Sequence, residues 1–245
     1  MSRSIDVLLG PPWQPDAVRD KHVAVVDVLR ATTTIATALA NGAAGVIPVA
    51  TATGAADLAR RLGRDDVLLC GERDASAIAG FDLDNSPASF RAEIVAGKTL
   101  VMTTTNGTGA LRAVAGAASV RTAALVNRMA AADALAQETG SIVVVCAGES
   151  GAFALEDAIG AGALVDALLT LEADVELHDG ARAAAILYRC VADRLADAIA
   201  SADHAQILAA KGFARDVTRC AALDTLAVVP TLRDNVLVAA KPVAA

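Results

Sequence analysis

Short apolar runs rich in Val and Ile recur along the chain and alternate with Ala- and Leu-rich stretches. Continuous β-branched runs predict strands buried on both faces. They fall at Ile5–Leu9, His22–Asp27, Gly45–Val49, Val67–Cys70, Thr99–Thr103, Ser119–Thr122 and Ile142–Cys146. Helices are predicted between them at Thr32–Ala40, Gly54–Leu62, Pro87–Val95, Thr108–Ala115, Met129–Glu138 and Leu155–Leu169. This alternation implies an α/β fold, a three-layer α/β/α arrangement around a mainly parallel, mixed sheet.

Local chemistry marks several boundaries. Asn41-Gly42 can close the helix before it. Ser86-Pro87 reads as an N-cap followed by proline at the first helical position. Asn106-Gly107 marks a tight turn from strand to helix. From Leu177 to Lys211 the chain reads as helical, in the stretches Ala183–Ala200 and Ala202–Ala210, with Ser201 as cap of the second. Beyond Gly212 the pattern predicts a helix to Leu223, then strands Ala227–Val229 and Val236–Val238 joined by a turn at Arg233-Asp234-Asn235. No linker divides the chain, so residues 1–245 read as a single unit or as two intimately packed halves, about 1–125 and 126–245. His22–Ala44 and Ser141–Leu164 share a strand–turn–helix pattern that hints at internal duplication, although every α/β unit shares it.

Composition changes this picture in a few respects. Hydrophobic residues make up 55% of the chain and aromatics only 2%, so the core must be built from Ala, Val, Leu and Ile. The formal net charge of −7 disfavours a nucleic-acid partner, which needs a basic face. A small anionic substrate remains compatible, because a pocket can be locally positive on an acidic protein. The N-terminus shows no targeting pattern and no apolar run is long enough to span a bilayer, so a cytoplasmic protein without a membrane partner is expected. The cysteines Cys70, Cys146, Cys190 and Cys220 form no CxxC pair and read as reduced structural thiols. The sequence leaves open a homodimer.

Ligands of open α/β sheets gather at the carboxyl ends of strands. Four such ends are polar here. The first runs from Asp27 through Arg30 to Thr32, Thr33 and Thr34. Threonine hydroxyls, helix amides and an arginine fork suit a phosphate or sulfonate, and Asp27 suits a metal or a nucleophilic role. The structural alternative is a threonine cap with Asp27 paired to Arg30. The second carries Glu72 and Arg73, with Asn85 and Ser86 downstream. Glu72 is a hard-oxygen ligand for Mg²⁺ and Arg73 an anion clamp. Asp74, Asp82 and Asp84 read as solvated loop acids. The third, Thr103 to Thr108, repeats the first design and offers Thr105, Asn106, Gly107 and Thr108 to an anion. The fourth leads from Cys146 through Gly148 to Glu156 and Asp157, which suit either the helix dipole or a metal. Carboxylates and anion donors on four strand ends are what metal-assisted phosphoryl transfer requires.

Walker A, GxGxxG and GxSxG patterns are missing. His22, His178 and His204 are isolated and read as satisfied structural histidines. Leu29 occupies the place of the second aspartate in a haloacid-dehalogenase motif.

Taken in order, Asp27-Val28-Leu29-Arg30-Ala31-Thr32-Thr33, Gly71-Glu72-Arg73, Gly80-Phe81 with Asn85-Ser86-Pro87, Thr104-Thr105-Asn106-Gly107-Thr108, and Ala147-Gly148 with Leu155-Glu156-Asp157 resemble the signature blocks of the 2-phosphosulfolactate phosphatase (ComB-like) family. Gly212-Phe213, Asp216-Val217, Cys220 and Val229-Pro230 are similar to its closing pattern, so the resemblance spans Ile5 to Val238. It implies a magnesium ion and hydrolysis of 2-phospho-3-sulfolactate to sulfolactate and phosphate, a step toward coenzyme M in methanogens. On this resemblance Asp27, Glu72 and one of Glu156 or Asp157 hold Mg²⁺. Arg30, Arg73 and the hydroxyl and amide groups of the strand ends hold phosphate and sulfonate. Asp84 and Ala75 stand where the family usually carries glycine, which leaves room for another phosphorylated hydroxy acid. The alternatives are a non-catalytic sensor of small anionic metabolites on the same scaffold, and a lyase or mutase acting on a phosphorylated acid.

Overall fold

A computed structural model describes residues 3–239. The strands are β1 (Ser4–Leu8), β2 (His22–Val26), β3 (Gly45–Pro48), β4 (Val67–Arg73), β5 (Ser76–Ala77), β6 (Thr99–Thr103), β7 (Ser119–Ala123), β8 (Ile142–Cys146), β9 (Glu176–Leu177), β10 (Pro230–Arg233) and β11 (Val236–Ala239). The helices are α1 (Pro15–Val18), α2 (Ala31–Ala40), α3 (Ala52–Leu62), α4 (Ala92–Val95), α5 (Gly107–Ala113), α6 (Arg128–Ala136), α7 (Leu155–Leu171), α8 (Asp179–Val191), α9 (Leu195–Ala200), α10 (Asp203–Ala210) and α11 (Ala214–Cys220).

All strands join one mixed, mostly parallel sheet in the order β5-β4-β6-β3-β11-β10-β7-β2-β8-β1-β9, in keeping with the expected α/β/α layering. One parallel block holds β4, β6 and β3, the other β7, β2, β8, β1 and β9. The antiparallel β10–β11 hairpin splices them, pairing Leu237 with Val46 on one side and Thr231 with Arg121 on the other. Three successive antiparallel pairings reverse the strand direction between the blocks. A flat sheet would then put their carboxyl ends at opposite edges. Instead, one buried cluster joins Val46, Leu100 and Met102 of the first block to Val23, Val25, Val143 and Val145 of the second. Helix α2 touches β3 and β7, and α5 touches β2 and β3, so both helices lie between the blocks. The Ala-rich sequence of α2 suits this place, because small side chains allow close packing on all sides; nine of its ten residues are buried. Helices α6, α7 and α8 cover the outer face of β1 and β8, and α3 covers that of β4 and β6.

Several boundaries differ from expectation. The helix expected over Pro87–Val95 is a 3₁₀ turn, Pro87–Ser89, followed by α4. Phe90 separates them: its ring is fully buried and its carbonyl accepts from Asn41 Nδ2 at 2.7 Å, outside any helical pattern. Ser86 makes no side-chain cap. Ser201 does not cap α10 either; its hydroxyl donates to the Ala198 carbonyl at 2.8 Å, in the last turn of α9. A 3₁₀ turn at Ala192–Arg194 interrupts the long helix expected to Ala200. The strand expected at Ala227–Val229 lies instead at Pro230–Arg233, because the turn is tighter than expected. Asp234 (φ 49°) and Asn235 (φ 64°) alone form the hairpin loop, and Arg233 pairs with Val236. The closing helix is shorter than expected and ends at Cys220. Among the described residues, no helix is long and apolar enough to cross a membrane.

Candidate functional site

Asp27 follows β2 directly and is 6% exposed. Its Oδ1 accepts the Ala31 amide at 3.0 Å, which ties the carboxylate to the start of α2. Thr32 clasps the same residue through its main chain, donating to the Asp27 carbonyl at 2.8 Å and accepting from its amide at 3.1 Å. The end of β6 is built alike: the Thr108 hydroxyl donates to the Thr104 carbonyl at 3.0 Å and accepts from its amide at 3.3 Å. The Thr33 hydroxyl donates to the Val28 carbonyl at 3.0 Å. These hydroxyls turn strands into helices, as side-chain-to-backbone bonds of Thr commonly do. Thr32, Thr33 and Thr108 therefore lie beneath the site.

The two strand–turn–helix units meet at Asp27. A Cβ added to Gly107 would stand 2.6 Å from Asp27 Oδ2 and 2.6 Å from the Ala31 methyl, so the bare glycine lets α2 and α5 start side by side. Glu72, leaving β4, joins a third segment. Its Oε1 accepts the Thr105 amide at 2.7 Å, and its Oε2 accepts the Ala75 amide at 2.7 Å and the Thr105 hydroxyl at 3.1 Å. Asn106 reaches the loop after β8: its Nδ2 donates to Glu149 Oε2 at 2.6 Å, and its Oδ1 accepts the Ser150 amide at 3.1 Å. Of Asp27, Glu72 and Glu149, only Asp27 keeps an oxygen, Oδ2, without a hydrogen-bond donor among the described residues.

These groups border a cleft of ≈ 210 Å³. Arg30, 3% exposed, lines it, held by Asp216 Oδ2 at 2.7 Å and stacked 4.3 Å from the Phe213 ring centroid. The Ser86 hydroxyl donates to the other Asp216 oxygen at 2.8 Å. Asn85 also lines the cleft, and its buried Oδ1 has no hydrogen-bond partner. Helix α10 closes the far wall with His204, Ile207 and the following Lys211. His204 Nδ1 lies 3.2 Å from Glu149 Oε2, but at an angle that makes no hydrogen bond.

Negative charge is crowded here. Burial raises the Asp27 carboxyl to about 7; the Ala31 amide opposes this, while Glu72, Glu156 and Glu149 add to it. Burial likewise raises Glu156 to about 7, opposed by its own amide and reinforced by Glu149 and Asp203. Asp157 is raised by burial and then by Asp27 and Glu156, against the lowering effect of the Val28 and Gly148 amides. Burial lowers the His204 imidazole, against the pull of Glu149, Glu72 and the Leu29 carbonyl.

A family profile for 2-phosphosulpholactate phosphatase matches residues 12–235. The chain belongs to the 2-phosphosulpholactate phosphatase family. It is 41% identical over 234 residues to a probable 2-phosphosulfolactate phosphatase of Thermotoga petrophila, covering 96% of this chain and 97% of the relative. A relative of the same name from Caldanaerobacter subterraneus is 40% identical over 220 residues, 90% of this chain and 91% of that one. Another from Clostridium beijerinckii is 36% identical over 218 residues, 89% and 91% of the respective chains.

Of the residues that the sequence singles out, Asp27, Arg30, Glu72, Asn85, Thr105 and Asn106 line the cleft, with Gly107 against Asp27. Others serve beside it. Arg73 turns to the Glu72 and Ala50 carbonyls and the Thr103 hydroxyl. Asp157 accepts the Val28 amide at 2.8 Å and the Gly148 amide at 3.0 Å, strapping the ends of β2 and β8 together. Glu156 borders the adjoining hollow beyond Glu149 and His204. Of the family departures, Ala75 takes φ 56°, a region that favours glycine, and donates its amide to Glu72. Asp84 accepts from the Ser86 amide and Ser89 hydroxyl, both at 2.9 Å, so its charge is used locally. Asp82 pairs with Arg64, and Asp74 is an exposed turn acid, as expected, that also borders the cleft.

Sequence reasoning gave no site role to Glu149, Asp216, His204 or Lys211. The buried Nδ1 of His204 makes no hydrogen bond, unlike the ring nitrogens of His22, which face the Ser119 hydroxyl at 2.9 Å and the Thr139 carbonyl at 3.0 Å. The available signal was the inward stripe His204, Ile207, Lys211 at helical spacing.

Gly107→Ala is expected to cost about 1–3 kcal/mol through overpacking, a fall in melting temperature of about 2–12 °C. An unchanged thermal melt would mean that α2 and α5 separate freely.

Proposed function

We propose that this chain hydrolyses 2-phospho-3-sulfolactate, or a closely related phosphorylated hydroxy acid, to the hydroxy acid and phosphate, and that it uses Mg²⁺. The observation that carries this reading is the convergence of Asp27, Glu72, Glu149 and Arg30, from separate chain segments, on one cleft. The names of the relatives supply the substrate.

The donor set fits magnesium. Among the described residues the expected third carboxylate ligand, Glu156 or Asp157, does not join Asp27 and Glu72, and no group of three His, Cys, Asp or Glu side chains could hold a metal ion. Mg²⁺ does not need such a group: it keeps several waters and takes one or two carboxylates together with substrate phosphate oxygens. Asp27, through its free Oδ2, and Glu72 are the carboxylates that would hold it, and the partnerless Asn85 Oδ1 is a further oxygen of a residue that lines the cleft. When bound, the ion would screen the phosphate charge and activate water. Arg30 supplies the protein's own complement to the phosphate. Asp216 takes one of its N–H groups and Phe213 fixes its plane, leaving the rest of the fork for phosphate oxygens. Glu72 locks the Thr105 loop so that Asn106 and Thr105 stay at the cleft edge.

Purified protein is expected to release phosphate from 2-phosphosulfolactate with Mg²⁺, and to slow at least about 100-fold after chelation, with recovery on adding the ion back. No release with Mg²⁺ present would remove this substrate. Release that ignores chelation would remove the metal.

A further inference from the structure

Helix α10 presents His204, Ile207 and Lys211 to the cleft along one face. The cleft is otherwise lined by the acids Asp27, Glu72, Asp74 and Glu149, with Arg30 as the other cation. Arg30 is held by Asp216 and turns the rest of its fork to the phosphate. Lys211 differs. Its Nζ donates to the Asp74 carbonyl and, at 3.4 Å, approaches the Ser76 hydroxyl, both neutral. Among the described residues it makes no ion pair with a carboxylate. It is the cleft cation whose charge awaits a partner. Beside it, Ile207 is 46% exposed, an apolar surface between two polar groups.

A phosphorylated sulfolactate carries a carboxylate and a sulfonate as well as its phosphate. Arg30 and the carboxylate-lined floor suit the phosphate with a divalent cation, but four acids repel any further anion unless a cation faces it. We infer that α10 carries an outer anion subsite: Lys211, with Ile207 against the substrate's carbon chain, receives the sulfonate or carboxylate and so selects phosphorylated acids over simple phosphate monoesters. This rests on the hydrolytic reading above and names how that site chooses its substrate.

The test uses the full chain with Mg²⁺ and the variants Lys211→Met and Lys211→Arg. The ratio of kcat/KM for 2-phosphosulfolactate to that for phenyl phosphate is expected to fall about ten- to hundredfold in Lys211→Met, as for loss of one charge-assisted contact, and to recover largely in Lys211→Arg. A fall shared by 2-phospholactate would assign the contact to the carboxylate, and a fall confined to 2-phosphosulfolactate would assign it to the sulfonate; either supports the subsite. An unchanged ratio overturns it, because a lysine that merely latches α10 to the Asp74 carbonyl would affect both substrates alike. Calorimetry with 3-sulfolactate gives a readout free of turnover. Affinity is expected to weaken about ten- to hundredfold in Lys211→Met. Equal affinity, or no binding by the unaltered protein, overturns the subsite. If the unaltered protein hydrolyses neither ester, the hydrolytic reading falls and calorimetry alone decides the subsite.

Discussion

Asp27→Asn is expected to slow phosphate release at least about 10³-fold and, with metal chelated, to melt at a higher temperature than the unaltered protein. The two effects share a cause. The Asp27 carboxyl is raised from 3.8 to about 7, so the folded chain binds its proton more tightly than the unfolded chain does. The stability this contributes is fully present below the unfolded value and is lost as pH rises through about 7. Above that pH the fold carries a buried charge worth up to about 4 kcal/mol of destabilisation. An amide removes the charge while its oxygen can keep the Ala31 contact. At pH 8 the variant is therefore expected to melt several degrees higher, about 2–4 °C per kcal/mol recovered. The gap should narrow as pH falls below 7 and close only as pH reaches the unfolded value of 3.8. Magnesium should raise the melting temperature of the unaltered protein and leave the variant nearly unmoved. Full activity in the variant would remove Asp27 from the chemistry. A variant that melts lower at pH 8 under chelation would show that the acid cluster carries less charge than its burial implies.

Arg30→Ala should combine large losses of both activity and stability. Arg30 and Asp216 are both buried, at 3% and 4% exposure, and joined at 2.7 Å. Removing the guanidinium leaves the Asp216 carboxylate with the Ser86 hydroxyl alone, at a cost of about 3–5 kcal/mol. It also removes the fork that faces the phosphate, so kcat/KM is expected to fall at least about 100-fold. The double variant Arg30→Met with Asp216→Leu separates the two roles. It should regain most of the melting temperature, since no unpaired charge remains, yet stay as inactive as Arg30→Ala. Recovery of activity in the double variant would reduce Arg30 to a structural counterion.

Much of the site was legible because strand ends announce themselves. Asp27 follows an apolar run directly, and Glu72, Thr105 and Asn106 follow one within a few residues, so their places at strand exits could be read from order alone. What each side chain does there could not. A threonine at a helix start looks the same whether its hydroxyl awaits an anion or, as at Thr32, Thr33 and Thr108, holds a carbonyl a few residues back. Asp157 and Arg73 illustrate the same ambiguity. Both sit in the right segments, and both are engaged by main-chain groups instead. That Asp216 is the partner that makes Arg30 rigid was invisible, because the two lie 186 residues apart and nothing in the closing block of the sequence says which side chain Asp216 meets.

The sequence by itself determined the βα alternation, since a strand covered on both faces must be apolar throughout, as β8 is, and a helix packed between blocks must be small-chained, as α2 is. It also determined which residues leave the strands beside one another in each turn. Tertiary structure decided that the β10–β11 hairpin splices the two blocks in opposite directions and that they close over α2 and α5. It also decided that α10 brings Lys211 and His204 to the cleft. The reason is physical: periodicity is set by neighbours a few residues apart, whereas the fit of two surfaces depends on side chains that the chain order never places together.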